Sequence, residues 1–81
     1  MYFTFWSKKL NALVFHDGGD NNAIFDLDHG KIIGSFTGFV LGINPDGTLV
    51  AVHPRGKEGR ERDKVEILNL LDLVNKSGSP K

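Results

Sequence analysis

Residues 31–53, KIIGSFTGFVLGINPDGTLVAVH, decide the fold of this chain. They contain three runs rich in β-branched and aromatic residues, over 31–36, 39–43 and 48–53, a composition typical of β-strands. Thr37-Gly38 separates the first two runs, and Asn44-Pro45-Asp46-Gly47 separates the last two. Proline presets φ at the first central position of a turn and glycine accepts a positive φ, so this tetrapeptide predicts a tight reversal between antiparallel strands.

The same alternation of strand and turn extends toward the N-terminus. Tyr2–Ser7, Ala12–His16 and Ala23–Leu27 are further strand candidates, and Asp17–Asn22 consists of turn-forming residues. Glycines at 30, 34, 38 and 42 recur every fourth residue, and on a strand they share one face, which lets a sheet coil sharply. The sequence therefore predicts a mainly β fold, either a six-stranded antiparallel meander or a small barrel.

The last third of the chain changes character. Residues 54–63, PRGKEGRERD, predict a charged loop, and the leucine-rich stretch that follows predicts one C-terminal α-helix over 64–76. Asp63 is the expected helix cap, with Glu66 as its reciprocal acid. We expect residues 77–81 to be a disordered tail, and we expect the whole chain, 1–81, to be a single domain because 81 residues suffice for only one core.

Charge and cysteine content exclude several classes of function. Ten Lys and Arg balance ten Asp and Glu, so no net field attracts nucleic acid or an acidic membrane. The chain has no cysteine, which excludes disulfides, thiol chemistry and cysteine-based zinc sites. Its longest uncharged run is shorter than the roughly 18 residues of a membrane span, and its first lysines follow an apolar stretch rather than precede it. We expect a cytoplasmic protein without a membrane partner.

Motifs for catalysis and ligand binding are weak, and we predict no enzyme activity, no metal and no cofactor. His16, Asp17 and Asp20–Asn22 lack the spacing of a Ca²⁺ loop and are explained by turn formation. Asp26, Asp28 and His29 suggest an acid–base cluster, but the two carboxylates share one face of a strand, which we expect to be the wet face. Gly42–Gly47 has the gap of a phosphate loop without its lysine, and no motif-placed nucleophile exists.

Two surfaces remain as candidate binding sites. Tyr2, Phe3, Phe5 and Trp6 put aromatic rings on both faces of the first strand. One face, Phe3 with Phe5 or Tyr2 with Trp6, can enter the core; the other must be covered by the helix, a partner protein or a copy of this chain. The second surface is a possible anion-binding loop whose basic residues outnumber its acids by two: Arg55, Lys57, Arg60, Arg62 and Lys64 against Glu58, Glu61 and Asp63.

One segment resembles a known family. Ile24–Gly38, continuing at Pro45–Ala51, resembles the junction between two blades of a β-propeller of the WD-repeat kind, over about a third of the chain. The hydrophobic pattern of Phe3–His16 recurs in Val40–His53, from residue 3 to residue 40, an offset of 37 residues that is near the period of such blades. The resemblance implies an alternative fold of two propeller-type blades, which would close a ring only by oligomerising.

Three functional hypotheses follow from these surfaces. The leading one is a non-enzymatic interaction module that binds another protein or associates with itself through the aromatic N-terminal strand. The second is nucleic-acid binding through the Arg55–Lys64 loop, which is not favoured because such sites usually combine a cleaner basic stripe with aromatic rings. The third, implied by the resemblance, is a two-blade unit of an oligomeric propeller that binds a small ligand such as a sugar.

Overall fold

Nine strands and one helix make up the part of the chain that the structure describes. The structure is a computed structural model and describes residues 1–77. The strands are β1 (Tyr2–Ser7), β2 (Ala12–His16), β3 (Asn21–Asp26), β4 (Lys31–Thr37), β5 (Phe39–Ile43), β6 (Leu49–His53), β7 (Arg55–Gly56), β8 (Gly59–Arg60) and β9 (Glu66–Asn69), and the helix is α1 (Leu70–Ser77).

The strands β1 to β4 form sheet A, a four-stranded antiparallel sheet in which each strand pairs with its neighbour in sequence. Side chains alternate across each strand, so one face of the sheet is apolar and fully shielded at Ala12, Val14 and Ile24. Phe5 and Phe36 extend this inner face to the two outer strands. The predicted strands of the N-terminal half are therefore present, with bounds shifted by one or two residues at β3 and β4.

The strands β5, β6 and β9 form a second antiparallel sheet, sheet B, with β6 in its centre. Val50 and Val52 of β6 are completely buried and belong to the same core cluster as the inner face of sheet A. Leu70 of α1, also completely buried, joins that cluster from the side. The inner faces of the two sheets thus pack on each other to make one core, as in a small sandwich.

The six-stranded meander or small barrel predicted from the sequence is wrong. Within residues 1–77 the strands form three sheets, and none of these closes on itself. The break lies at Gly38, the only residue between β4 and β5, because a hairpin needs at least two loop residues. Gly38 has φ +133°, and a Cβ there would lie 2.9 Å from Cβ of Val52, so only glycine fits where the chain passes from sheet A to sheet B.

The turn predicted at Asn44–Gly47 is present and fastens sheet B to sheet A. The Gly47 amide donates to the Asn44 carbonyl at 3.0 Å, and Gly47 has φ +75°. The Ser7 hydroxyl donates a buried hydrogen bond of 2.7 Å to the Gly47 carbonyl. Beside it, the Lys9 amide donates to the Asp46 carbonyl at 2.9 Å. Through these two bonds the β5–β6 turn is docked on the end of the β1–β2 hairpin.

The helix predicted over 64–76 is wrong in its first part, because Glu66–Asn69 is strand β9 and the helix begins at Leu70. β9 pairs with β6, whose backbone would otherwise present an open edge beside the buried core. The helix cap is Asn69 rather than Asp63: its side-chain carbonyl accepts from the amides of Leu71, at 2.9 Å, and Asp72, at 3.4 Å.

The charged segment predicted over 54–63 contains the two-stranded sheet formed by β7 and β8. The tail predicted over 77–81 lies, apart from the backbone of Ser77, outside the described residues. Among residues 1–77, α1 included, no helix has both the length and the apolar character needed to cross a lipid bilayer.

Candidate functional site

The aromatic residues of β1 are divided between the two faces of sheet A by a β-bulge. The register slips between Phe3 and Phe5, which leaves Thr4 as the extra residue and puts the two phenylalanines on opposite faces. Phe5 enters the core and is 8% exposed, whereas Phe3 and Trp6 lie on the outer face and are 57% and 47% exposed. Tyr2 is also exposed and stacks on His16. Both same-face pairs expected from strict alternation, Phe3 with Phe5 and Tyr2 with Trp6, are therefore wrong.

The outer face of sheet A is apolar well beyond β1. Two rows of register partners cross the sheet: Phe3, Phe15, Ala23 and Ser35 in one, and Trp6, Leu13, Phe25 and Ile32 in the other. Neither row contains a charged residue. The rings of Phe3 and Phe15 meet edge to face at 6.0 Å between centroids. We name the apolar side chains of these rows the aromatic face: Phe3, Trp6, Leu13, Phe15, Phe25 and Ile32.

The aromatic face is large for a surface exposed to water. With about 150–250 Å² for each aromatic side chain, the six residues leave on the order of 500 Å² of apolar area exposed. That is close to the largest apolar patch of an ordinary monomer, roughly 300–600 Å², and more than half of the roughly 800 Å² that one partner contributes to a stable interface. The largest apolar patch of a monomer is often a functional surface.

The edges of sheet A are less suited to association than its outer face. The bulge at Thr4 interrupts the exposed edge of β1, which hinders the addition of a further strand. On the opposite side of the sheet, α1 lies against β4. A partner of sheet A is therefore expected to contact side chains rather than to extend the backbone ladder.

The predicted anion-binding loop does not present all of its basic residues to solvent. Arg60 is half-buried, and its guanidinium donates two hydrogen bonds, of 3.1 and 3.0 Å, to one carboxylate oxygen of Asp20. The same guanidinium lies 4.0 Å from the centre of the Phe39 ring. Arg60 therefore links the β7–β8 hairpin to the β2–β3 turn. The other basic residues of the loop are exposed: Arg55, Lys57, Arg62 and Lys64.

The polar residues of the β2–β3 turn are engaged with one another. The carboxylate of Asp17 accepts from the Gly19 amide and from the Asn21 side chain, each at 2.8 Å. Nδ1 of His16 accepts from the Gly18 amide at 3.1 Å. In the described part of the chain, no group of three or more His, Asp or Glu side chains is placed to hold a metal ion. These residues build the turn.

The expectation that Asp26 lies on the wet face of β3 is wrong. Asp26 is 7% exposed at the end of the strand, and its carboxylate contacts Nδ1 of His29 and accepts from the Asp28 amide at 3.1 Å. The strand face of Asp26 is the inner one because it follows Ile24 at a spacing of two residues. The pair orders the β3–β4 turn, in which the Gly30 amide donates to the Asp26 carbonyl at 2.8 Å.

A small cleft opens beside β1. It has a volume of about 250 Å³, and Phe3, Thr4, His16 and Asn22 are among the residues that line it. The hydroxyl of Thr4 is buried and has no hydrogen-bond partner among the described residues. The volume lies below the roughly 300–1,000 Å³ of typical small-molecule sites, and a water molecule is a sufficient partner for the hydroxyl.

Three carboxylates predict the response of the fold to acid. The pKa values of all three lie below the ordinary value of 3.8, mainly because a neighbouring polar side chain shares a hydrogen bond with each carboxylate: Asn21 with Asp17, His29 with Asp26 and Thr48 with Asp46. A pKa that is lower in the folded than in the unfolded chain stabilises the fold above the unfolded pKa, and this stabilisation is lost as the pH falls through the folded pKa.

We therefore expect the urea midpoint of unfolding to stay level from pH 7 to about pH 5 and to fall below about pH 4. Asp46→Asn removes one of the three contributions, so its midpoint should fall less steeply with acid than that of the wild-type protein. A wild-type midpoint that is unchanged between pH 5 and pH 3 would contradict the lowered pKa values.

No protein-family model, no curated protein and no solved structure matches this chain. The proposal of a function therefore rests on the geometry of the aromatic face.

Proposed function

We propose that this protein is a non-enzymatic interaction module that associates with copies of itself through the aromatic face. The observation that carries the proposal is the exposure of Phe3, Trp6 and Ile32, at 57%, 47% and 55%, on a sheet face without a charged residue in its two central rows. Burial of apolar area is worth about 25 cal/mol for each Å², so covering this face provides a large driving force for association.

The lack of charge favours a copy of this chain over a partner selected by electrostatics. Electrostatic complementarity gives an interface its specificity and its steering, and the aromatic face offers neither sign of charge to a partner. The chain as a whole has a formal net charge of zero, so copies approach one another without long-range repulsion. Every copy also carries the apolar surface that the next one needs to cover.

Trp6 reports directly on this association because it is the only tryptophan of the chain and the residue is 47% exposed in the monomer. We expect the indole emission to shift to the blue, and the sedimentation mass to rise, as the protein concentration is raised from nanomolar to about 100 μM. Trp6→Ala should raise the dissociation constant by roughly 30-fold, the equivalent of the 2 kcal/mol typical of a buried tryptophan at an interface.

Tyr2→Ala is the matched control. Tyr2 is an aromatic residue of the same strand that is more exposed than Trp6, but it stacks on His16 and lies on the opposite side of β1 from Phe3. This variant should keep the wild-type mass distribution. A wild-type protein that is monomeric with constant emission throughout the range would overturn the proposal, as would a Tyr2→Ala variant weakened as much as Trp6→Ala.

A further inference from the structure

Sheet B also carries an apolar outer face, and this face differs in shape from that of sheet A. Exposed or half-exposed aliphatic side chains line it on β6 and β9, with Ile67 of β9 at 63% and Leu49 of β6 at 38% exposure. They surround an open depression of about 490 Å³. We name the four outer-face positions among its lining residues the aliphatic face: Gly42, Leu49, Ala51 and Ile67.

The depression exists because two neighbouring positions have almost no side chain. Gly42 and Ala51 are register partners on β5 and β6, and Ile67 on β9 is the next residue in the same row. A Cβ built on Gly42 meets no atom within 4 Å, so the space above it is open. Along this row, Gly42 and Ala51 form the bottom of the depression and the Ile67 side chain forms one side of it.

The two outer faces lie on opposite sides of the molecule, since the inner faces of sheets A and B share one core. One of them presents protruding rings, at Phe3 and Trp6, and the other presents a hollow lined by aliphatic side chains. A protruding ring can occupy the open space above Gly42, where the sheet carries no side chain. Complementary surfaces on opposite sides of one molecule generate a head-to-tail interface rather than a twofold one.

We infer that the aromatic face of one copy docks on the aliphatic face of the next, with Phe3 and Trp6 seated above Gly42 and Ala51. The inference rests on the proposed function and adds which surface of the second copy covers the aromatic face. Both surfaces are apolar, so the contact removes apolar area of both copies from water. Repetition of this contact stacks sheet upon sheet and gives a closed ring or an open filament.

Complementation between two variants tests the head-to-tail contact. The first, Phe3→Glu/Trp6→Phe, loses the aromatic face and its indole but keeps the aliphatic face. The second, Ile67→Glu, loses the aliphatic face and keeps Trp6 as the single indole of the mixture. Each variant alone should be monomeric at concentrations at which the wild-type protein assembles. An equimolar mixture should form a 1:1 dimer and no larger species, with a blue shift of the Trp6 emission.

Gly42→Phe provides a second variant of the aliphatic face that introduces no charge. It fills the depression, and the fold should accept it because the new side chain meets open space. It should behave as Ile67→Glu does, both alone and in the mixture.

The outcomes separate this inference from the proposed function. Dimers formed by Ile67→Glu alone would show aromatic faces paired with each other, which overturns the head-to-tail contact and leaves self-association in place. A mixture that stays monomeric while the wild-type protein assembles would also overturn the head-to-tail contact. A wild-type protein that never assembles would remove the inference together with the proposed function.

Discussion

Replacing Leu70 by aspartate is expected to leave the protein without a cooperative fold. Leu70 is completely buried in the core that the two sheets share, and its amide donates to the Thr48 carbonyl at 2.8 Å. Truncation of a buried leucine alone typically costs about 2–5 kcal/mol, and an unpaired buried charge adds to that. Total stabilities of small domains are about 5–15 kcal/mol, so the loss should remove most or all of the stability.

Leu71→Asp is the matched control for this substitution. Leu71 is the next residue of α1 and is 37% exposed, so the same charge remains in water. Aspartate is favourable in the first turn of a helix at either position, which makes burial the difference between the two variants. Urea unfolding followed by Trp6 emission should show a near-normal midpoint for Leu71→Asp. A cooperative Leu70→Asp transition at the wild-type midpoint would show that α1 does not close the core.

Gly47→Val is expected to destabilise the fold by roughly 3–5 kcal/mol, the sum of backbone strain and overpacking. Valine resists the φ of +75° that Gly47 adopts, and its Cβ would lie 2.6 Å from Cα of Ser7. The Ser7 backbone cannot move aside without disturbing the 2.7 Å bond from the Ser7 hydroxyl to the Gly47 carbonyl. The substitution thus separates the β5–β6 turn from sheet A as well as straining the turn itself.

Gly30→Val distinguishes the cost of backbone strain from the cost of the collision with Ser7. Gly30 has φ +66°, but a Cβ there meets no atom within 4 Å, so valine introduces the backbone strain without the collision. We expect Gly30→Val to lose about 1–3 kcal/mol, clearly less than Gly47→Val, in the same urea titration. Equal losses at both positions would mean that contact with Ser7 contributes nothing to the stability of the turn.

The six strands up to His53 were predictable because strand-favouring composition and turn-favouring residues indicate the same strand ends. Each run of β-branched and aromatic residues ends at a group that favours a turn, above all Asn44–Gly47, so local preference and tertiary structure coincide there. Strand β9 was missed because local preference and tertiary structure disagree there. The sequence from Val65 to Leu70 is rich in leucine with helical spacing, and only the free edge of β6 draws Glu66–Asn69 into a sheet.

The arrangement of the sheets was not predictable from the same patterns. The chain passes from β4 to β5 at Gly38, and a single glycine is equally compatible with a turn and with a change of direction. The bulge at Thr4 has no sequence signature, yet it decides that Phe3 faces solvent while Phe5 enters the core.

The candidate site was recognised only in part. Trp6 and Phe3 stood out as aromatic residues of the first strand, whereas Leu13, Phe15 and Phe25 did not, although their strands also carry apolar residues on both faces. Such strands are typical of sheets covered on both sides, and this was the available signal for an apolar outer face. No sequence pattern indicated that Arg60 binds the Asp20 carboxylate and lies over the Phe39 ring.

The ties between the sheets reach much further along the chain than the pairings within sheet A. Ser7 with Gly47 and Arg60 with Asp20 are each separated by 40 residues, whereas β1 to β4 pair only with their neighbours. Loop closure of that length must precede any gain from the contact, and folding rates fall as contacts become more distant. We therefore expect sheet A to form first from successive hairpins, and the contacts of Ser7 with the β5–β6 turn and of Asp20 with the β7–β8 hairpin to form late in folding.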